Sequence, residues 1–485
     1  MTVLRTPTGA TLASATPNPE VPGAWAPLSV LMIGTFMIVL DFFIVNVALP
    51  SMQSGLHASA SEVEWVVAGY GLAFAVFLVA SGRIGDRIGR RRALSVGLGL
   101  FVVTSGLCGL APSAAVLVGA RFGQGIAAAM ISPNVLSLMG VIYAGSKRVR
   151  AITVYGIVMG LAAASGQAVG GLLIAADVAG SGWRAIFLIN VPIGVIALAL
   201  VPRIVPESRA EHAKRVDIFG MALVTLALIA LVLPLIEGNG LGWPAWTWAC
   251  FAASAVCAVS LVVHQRRLAA RGGTPLLDPL LFRSANLRSG LLTQLAFWCS
   301  QASFFLVLSL YLQDGRGLGP LDAGLVFTIL AASYLVVSLR APALTARFGR
   351  DLVLVGALSV AGGDVALYLF VDHFGGGGPL GLMAPGLVLV GAGQGLAITP
   401  LTTTVLSHAT PQNAGAVSGA LSTMQQVGNA LGVAITGVVF YGALGDGYSK
   451  AFCRSLVELV VLMIGVALLT RFLPGRGVCS EARGA

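Results

Sequence analysis

The segment LDFFIVNVALP, residues 40–50, closes an apolar run that begins near Pro27. A run of about 20 apolar residues is long enough to cross the ~30 Å hydrocarbon core of a bilayer as a helix. Asp41 lies within this run, where an ionised carboxylate is unfavourable unless it faces protein or water. Asn46 adds a second polar group. We therefore expect Asp41 to face a protein interior or a watery cavity, and to take up and release a proton while something is carried across a membrane.

The whole chain has the composition of a membrane protein. Its 485 residues are 57% hydrophobic and only 10% charged, with a mean hydropathy of +0.91, whereas soluble domains contain about 25% charged residues. The cysteines form no C-x-x-C pair and the histidines show no metal-binding spacing, so we expect no metal site. The composition predicts an all-α integral membrane protein.

Counting the apolar runs predicts fourteen transmembrane helices. Several runs contain glycines, which let membrane helices approach one another closely. The runs fall near residues 26–50, 63–82, 93–110, 113–141, 150–176, 184–202, 218–236, 245–264, 288–312, 322–345, 352–371, 380–407, 415–443 and 454–473.

The basic residues divide unevenly between the two sides of these runs. With a cytoplasmic N-terminus, 24 of the 29 Lys and Arg residues fall in cytoplasmic segments and 4 on the other side, with Arg121 inside a run. This asymmetry is the positive-inside signal and supports an even number of spans. We therefore predict a multi-pass protein of the cytoplasmic membrane with both termini cytoplasmic. The net charge of +10 then reflects topology, with anionic lipid rather than nucleic acid as the partner.

An internal repeat connects the fourth and twelfth runs. VLVGA at 116–120 recurs at 388–392, and Gly-Gln-Gly follows shortly after each copy. The basic loop after the second run is likewise echoed at 347–350, after the tenth. Both offsets are eight helices, which is the offset of two parallel six-helix halves separated by two inserted helices. The predicted segments are a disordered cytoplasmic tail (1–25), a six-helix half (26–202), linkers with the inserted pair (203–287), a second six-helix half (288–473) and a cytoplasmic tail (474–485).

The loop GRIGDRIGRRRAL, residues 82–94, joins the second and third runs. Its glycines suit a tight turn between two helices, and one acid, Asp86, stands among five arginines. This acid can pair locally or lie at a helix N-terminus, where the helix dipole favours negative charge. An ordinary basic loop would explain the arginines but not the Gly–Asp–Gly spacing.

Arg121 places a guanidinium inside the fourth run, where it must be paired or face water. Asp41 is the expected partner, because no other acid lies so central in the first half. The cation favours ionised Asp41, while desolvation favours the neutral acid. An exchanger can use that competition, because moving the cation or changing the hydration releases the proton. Asp364, in the eleventh run, is a second intramembrane acid, for which snorkelling, pairing and a proton site all stay open.

The fifth run is rich in glycine, which favours close helix packing. The packing candidates are Gly156, Gly160, Gly166, Gly170 and Gly171. Polar and aromatic side chains of several runs either line a cavity or tie helices together. The candidates for a substrate cavity are Asn46, Gln124, Gln167, Phe297, Gln301, Gln394 and Gln425.

These segments, together with WRAIFLINVPIG at 183–194, resemble the major facilitator superfamily, and specifically its fourteen-helix drug/proton antiporter branch. The resemblance covers about residues 26–473. It implies a major facilitator fold in which Asp41 and Arg121 are the proton-coupling residues.

The resemblance also implies a conformational latch in the 82–94 loop, with Asp86 meeting the start of the thirteenth run near Asn413–Gly415. The second-half copy of the loop lacks its acid, which predicts a one-sided latch. Gln167 stands where the export motif usually has proline, and this departure weakens the claim of antiport. The latch residues are Gly82, Gly85, Asp86, Arg87, Gly89 and Arg90.

The function that the resemblance implies is proton-coupled export of a drug, antibiotic or other amphiphilic small molecule. We expect no cofactor besides the proton gradient. The expected partners are a small-molecule substrate, protons and membrane lipid, and we expect a monomer. Proton-coupled uptake of a small nutrient stays open because of Gln167, and a non-transporting membrane sensor is an alternative from another class. We expect no enzymatic activity, because the chain shows no paired acids and no nucleophile–base set.

Overall fold

The computed structural model of the protein describes residues 25–209, 217–273, 275–276, 284–406 and 414–473. Almost all of these residues are helical, and no strand occurs among them. The predicted tails fall outside the described residues, apart from Trp25.

Within these ranges the chain forms fifteen α-helices, of which α6 is a single turn. A π-helical stretch, Tyr311–Gly315, extends the tenth helix. The helices are α1 (Ala26–Leu56), α2 (Ala60–Ile88), α3 (Arg90–Gly109), α4 (Ala114–Ile142), α5 (Gly145–Ala176), α6 (Ala185–Leu188), α7 (Asn190–Ile204), α8 (Ile218–Gly238), α9 (Ala245–Ala270), α10 (Ala285–Leu310), α11 (Pro320–Phe348), α12 (Asp351–Phe374), α13 (Ala384–Leu406), α14 (Ala414–Ala443) and α15 (Tyr448–Leu469).

Thirteen stretches of the described chain are helical, long and apolar enough to cross a membrane, and the bent α5 adds a fourteenth. One of them, Gly182–Ile204, contains both α6 and α7. Helix α5 bends by 41° between Gly145–Ala163 and Ser165–Ala176. The predicted fourteen-helix membrane fold is therefore confirmed when α5 is counted as one span.

Short polar and glycine signals set the ends of these apolar helices. Before α2, the Ser59 backbone N–H donates to Glu62 at 2.8 Å and the Glu62 backbone N–H donates to the Ser59 hydroxyl at 3.3 Å. This reciprocal capping box satisfies donors that a helix start leaves free. Gly89 alone separates α2 from α3, and its φ of +111° is a conformation that favours glycine.

The helices form two six-span halves and an inserted pair. In the first half α2 and α3 each pack against α4, and α1 packs against α5. In the second half α11 and α12 each pack against α13, and α10 packs against α14. The same partnerships thus recur eight spans later. The inserted helices α8 and α9 pack on each other, and α8 also contacts both α2 and α14.

The correspondence between the halves extends to single residues. Gly166 of α5 packs against the carbonyl oxygen of Leu40 in α1, and Gly428 of α14 packs against the carbonyl oxygen of Leu295 in α10. A Cβ atom on these glycines would lie 3.5 Å and 2.7 Å from the respective oxygen. Leu40 and Leu295 therefore occupy equivalent positions in α1 and α10.

Contacts between the connections define two faces of the bundle. Trp25 before α1 stacks on Tyr143 after α4, with ring centroids 5.8 Å apart. Arg350, between α11 and α12, donates to the carbonyl oxygen of Leu473 at 2.5 Å. Because successive spans alternate in direction, these contacts place both ends of the bundle on one face. We call it the basic face, because the arginine-rich connections lie there, and we call the other the opposite face.

The two halves meet through α5 with α11 and through α2 with α14. Near the opposite face this contact is tight, because a Cβ atom on Gly324 of α11 would lie 2.6 Å from the carbonyl oxygen of Gln167 in α5. Toward the basic face, Gly156 of α5 and Gly419 of α14 have no described neighbour within 4 Å of the Cβ position. The halves therefore diverge toward the basic face.

Asp217 fixes the inserted pair at the basic face. Its carboxylate accepts the Gly220 backbone N–H at 2.9 Å, which caps α8, and the Gln265 side-chain amide of α9 at 2.8 Å. The Nε2 atom of His264 lies 2.9 Å from Oδ1. Although burial opposes ionisation, these partners outweigh it and hold the pKa of Asp217 below its usual value.

Candidate functional site

Asp41 and Arg121 form an ion pair inside the first half. Arg121 Nη1 of α4 lies 2.5 Å from Asp41 Oδ2 of α1, and both side chains are at most 1% exposed. Two opposite charges in contact are the arrangement that makes buried ionisable groups tolerable in a membrane helix. The structure thus brings the two predicted partners together.

The second oxygen of Asp41 accepts two side-chain amides. Gln124 Nε2 donates to Asp41 Oδ1 at 3.1 Å, and Asn190 Nδ2 of α7 donates to the same oxygen at 2.9 Å. Gln124 also accepts from Arg121 Nη1 through its Oε1 atom at 2.9 Å. Gln124, predicted as a cavity residue, is instead a buried bridge within the ion pair.

Arg121 is held from a third side by α2. Its Nε donates to the carbonyl oxygen of Val66 at 3.0 Å, and its guanidinium carbon lies 4.3 Å from the centroid of the Tyr70 ring. Gly125, one turn further along α4, lies so close to the backbone of α2 that a Cβ atom would be 2.9 Å from the Ala73 side chain. The glycine therefore lets α4 approach α2 closely enough for Arg121 to reach its partners.

Two residues of this cluster have no role in the sequence-based assignment. Ser105 of α3 accepts from Gln124 Nε2 at 2.6 Å and from Asn190 Nδ2 at 3.3 Å. Asn190 lies in a quoted motif, but its role was not predicted. The rule that singled out Asp41, a polar group within an apolar run, applies equally to Asn190. A serine in such a run carries too little signal, because its hydroxyl commonly bonds to its own helix.

The ion pair lies beside the contact between the halves. The residues that hydrogen-bond to the Asp41 carboxylate all belong to the first half. Two residues further along α1, Phe43 packs edge to face on Phe305 of α10, with ring centroids 5.3 Å apart. A rearrangement around Asp41 can therefore reach the second half through one turn of α1.

The equivalent place in the second half carries no such pair. Leu295 is equivalent to Leu40, so Ala296 stands where the first half has Asp41. On α13, Gly391 packs against the backbone of Leu330 in α11. A Cβ atom added to Gly391 would lie 3.0 Å from the carbonyl carbon of Leu330.

The register of α13 follows from a second glycine. Gly125 packs against the backbone of Tyr70, and Gly395 packs against the backbone of Tyr334. Arg121 lies one turn before Gly125, and Gly391 lies one turn before Gly395. Gly391 therefore occupies the position of Arg121. The second half thus has alanine and glycine where the first half has its two charges.

The predicted cavity residues are mostly buried between helices. Asn46 donates to the carbonyl oxygen of Phe43 at 3.2 Å, and its own carbonyl oxygen accepts the Ser309 hydroxyl of α10 at 2.6 Å. The backbone of Asn46 thus joins α1 to α10, whereas the hydrogen bonds of its side-chain amide in the described chain stay within α1. Gln425 is half-buried. The remaining candidates are at most 6% exposed, namely Asn46, Gln124, Gln167, Phe297, Gln301 and Gln394.

Gln167 lies at the tight contact between α5 and α11. Its side chain is 2% exposed, and neither amide atom has a hydrogen-bond partner within the described chain. Its carbonyl oxygen faces Gly324 of α11. The residue that departs from the export motif is thus part of the surface between the halves.

The basic loop is fixed locally to the first half. Asp86 Oδ1 accepts from Arg90 Nε at 3.0 Å and from Arg90 Nη2 at 2.8 Å. The Arg90 backbone N–H donates to the carbonyl oxygen of Ser208, beyond α7, at 2.9 Å. Local pairing of Asp86 is thus present. Asn413 lies outside the described residues, and the latch to α14 stays a prediction.

Four of the five predicted packing glycines lie in helix contacts. Gly166 and Gly170 pack on α1, and Gly171 packs on the start of α11. Gly160 would place a Cβ atom 3.8 Å from α11, an ordinary van der Waals distance. Gly156 is exposed, with open space around it. Its predicted packing role is wrong for this arrangement, because α5 has diverged from α11 at its level.

Asp364 of α12 is completely buried, and neither carboxyl oxygen has a hydrogen-bond partner among the described residues. Snorkelling and pairing, two of the roles left open for it, are therefore not seen. Its neighbour Gly363 packs directly on α13, because a Cβ atom added to Gly363 would lie 2.6 Å from the carbonyl oxygen of Gly386.

Comparisons with known proteins agree with this architecture. The profile of the Major Facilitator Superfamily matches residues 31–433. The chain is 37% identical over 437 residues to the probable actinorhodin transporter of Streptomyces coelicolor, covering 88% of this chain and 75% of that protein. It is 33% identical over 434 residues to the tetracenomycin C resistance and export protein of Streptomyces glaucescens, covering 89% and 78%.

A solved structure of an auto-inhibited POT family peptide transporter aligns with a TM-score of 0.67, over 92% of this chain and 96% of that one. At 14% identity it shows the shared fold alone.

Two matching halves of six spans that diverge toward one face, with a buried acid–arginine pair beside their contact, define a multi-pass membrane transporter of small molecules. The chain belongs to the Major Facilitator Superfamily.

Proposed function

We propose that the protein is a proton-coupled exporter of an antibiotic or another amphiphilic small molecule. It acts as a monomer in the cytoplasmic membrane with both termini cytoplasmic. The observation that carries the proposal is the buried Asp41–Arg121 pair, because an exchanger needs a group that can be charged in one state and neutral in another. The basic face is then cytoplasmic, and the arrangement described here is open toward the cytoplasm.

Protonation of Asp41 changes the balance of charge inside the first half. With Asp41 ionised, the pair is neutral and the carboxylate accepts three hydrogen bonds. With Asp41 protonated, Arg121 becomes a buried cation without a counter-charge, which is strongly unfavourable. The pair must then rearrange or meet water. Because Phe43 connects this turn of α1 to Phe305, we infer that the rearrangement tilts one half against the other.

Export is the favoured direction because of the names of the relatives. The tetracenomycin C relative is described as a resistance and export protein, and another, 35% identical with 90% of each chain covered, is described as a cephamycin export protein. Uptake in symport with protons is the second candidate, because Gln167 departs from the export motif.

The first experiment measures ethidium accumulation in cells that lack their own efflux pumps. Expression of the wild type should lower accumulation, and a protonophore should abolish the difference. Asp41→Asn keeps the size of the side chain but cannot ionise, so it should accumulate as much dye as empty cells at equal membrane abundance. Asp322→Asn, an exposed acid in the first turn of α11, is the matched control and should export normally.

Two results would contradict the proposal. Undiminished efflux by Asp41→Asn would remove Asp41 from the coupling mechanism. Accumulation above that of empty cells would show uptake instead of export. A broader panel of aromatic antibiotics replaces ethidium if that dye is not a substrate.

A further inference from the structure

Glu64 is a buried acid that the mechanism above does not use. It lies near the start of α2, close to the opposite face, and is 3% exposed. Its Oε2 atom has no hydrogen-bond partner in the described chain. Gly437 of α14 packs directly on this carboxyl group, since a Cβ atom would lie 2.6 Å from Oε1 and closer still to Oε2. An acid of one half is thus pressed against the backbone of the other.

The nearest ionisable groups offer Glu64 no positive charge. Glu237, near the end of α8, repels it electrostatically and accepts the Trp65 indole N–H at 2.9 Å. Tyr441, one turn after Gly437 on α14, interacts with Glu64, and its buried hydroxyl has no hydrogen-bond partner among the described residues. Three elements, α2, α8 and α14, therefore meet around an acid with like-charged and phenolic neighbours.

The charges further away are engaged elsewhere. Arg121 of α4 is paired with Asp41 of α1, and the arginines at the start of α3 lie at the basic face. Asp314 and Tyr448 interact with Tyr441 and add no cation. Among the described residues, the charged group that interacts with Glu64 is Glu237, which adds repulsion and no counter-charge.

A carboxylate without a donor or a counter-charge is unstable in such a place. Glu64 is therefore a neutral acid while the halves are closed at the opposite face. Ionised Glu64 requires water, and we infer that parting of α2 and α14 admits it. Glu62, half a turn earlier, shows the contrast, because its carboxylate is bound by Ser59 at the helix end.

We propose that Glu64 is a second proton-binding site, placed on the surface where the halves meet, and that its protonation permits closure of the opposite face. The proposal rests on the transport cycle above. After substrate leaves on that side, the ionised carboxylate takes a proton from hydronium and leaves water behind. The neutral carboxyl then packs on Gly437, and the empty protein returns to the arrangement described here. Asp41 acts within one half, whereas Glu64 acts between the halves.

Hydrogen–deuterium exchange of the full-length protein in lipid nanodiscs tests this directly. After correction for the intrinsic pH dependence, opening at the start of α2 and the end of α14 should increase by up to about tenfold per pH unit, as release of one proton requires. Glu64→Gln should keep these segments protected at all pH values. The control Glu62→Gln, a solvent-accessible acid on the same helix, should behave as the wild type.

A second variant approaches the same surface from α14. Gly437→Ala places a methyl group against the carboxyl group and should leave the opposite face open even at low pH. The proposal is overturned if Glu64→Gln keeps the pH-dependent opening of the wild type, or if Gly437→Ala closes normally. Asp41→Asn separates the two proposals, because it should lose ethidium export while the pH-dependent opening at α2 and α14 persists.

Discussion

The first half of the bundle holds a buried ion pair, Asp41–Arg121, in one hydrogen-bonded cluster, while the second half uses the equivalent positions for packing. Asp41 and Arg121 in α1 and α4 correspond to Ala296 and Gly391 in α10 and α13. The side chain of Arg121 fills the space between α4 and α2, whereas Gly391 brings α13 onto the backbone of α11. One architecture therefore supports a polar interior in one copy and direct backbone contact in the other.

The third helices of the two halves, α3 and α12, show the same difference. Gly97 of α3 packs on α4, and Gly356 of α12 packs on α13. Eight residues after these glycines stand Ser105 and Asp364. Ser105 is bonded to the amides around Asp41, whereas Asp364 has no described partner. The second half thus has an acid at a corresponding place without the groups that would hold it ionised, so the proposed mechanism assigns coupling to Asp41 and not to Asp364.

The largest expected effect is on the ion pair. Arg121→Gln leaves Asp41 buried without its counter-charge and should destabilise the protein by about 3–5 kcal/mol. Adding Asp41→Asn removes the orphaned charge and should recover much of that loss. Thermal unfolding of the single and double variants in detergent measures the coupling. If the stability loss of the double variant equals the sum of the two single losses, the two charges are energetically independent. The contrast between a coupled pair in the first half and packing in the second would then be wrong.

The amide of Asn190 should matter next. Asn190→Ala removes one donor to a charged carboxylate and should destabilise by about 1.5–3 kcal/mol. The same measurement on Asn286→Ala, an exposed position in the first turn of α10, gives the control and should change little. An Asn190 variant as stable as this control would mean that Asp41 needs only Arg121 and Gln124.

The second half should respond to volume instead of charge. Gly391→Ala forces a methyl group against Leu330 and should destabilise by about 1–3 kcal/mol. The pH dependence of ethidium export should stay that of the wild type. Gly362→Ala, where the added Cβ atom has open space, should be neutral or slightly stabilising. A shifted pH profile in the Gly391 variant would place proton chemistry in the second half as well.

The smallest effect is expected at Asp364. Asp364→Asn removes the ability to ionise at nearly constant volume, and the carboxyl group has no described partner to lose. Proton-driven ethidium export should therefore be retained, in contrast to the same substitution at Asp41. Loss of export equal to that of Asp41→Asn would show that both halves bind protons for coupling.

Most of the fold could be predicted from hydropathy. The run predicted at 184–202 lies within the observed span Gly182–Ile204, because lipid requires long apolar segments and the basic loops interrupt them. The repeat offset also predicted which helices correspond. The Asp41–Arg121 pair was within reach because only paired charges are tolerated at such depth.

The rest depends on helix rotation and on the conformation of the bundle. Hydropathy does not say which way Gln124 points, so its place beside Asp41 instead of in a cavity was not predictable. The open surroundings of Gly156 were not predictable either, because hydropathy does not show where α5 and α11 diverge. Ser105 has no distinguishing signal in a run of small residues.

The inserted helix α8 makes the two seams between the halves different from each other. It lies against both α2 and α14, so it covers one seam between the halves. In the described chain, α1 of the first half contacts both helices of the other seam, where α5 meets α11. The inserted pair therefore shields the seam between α2 and α14, and a molecule that approaches this seam from the side meets α8 first.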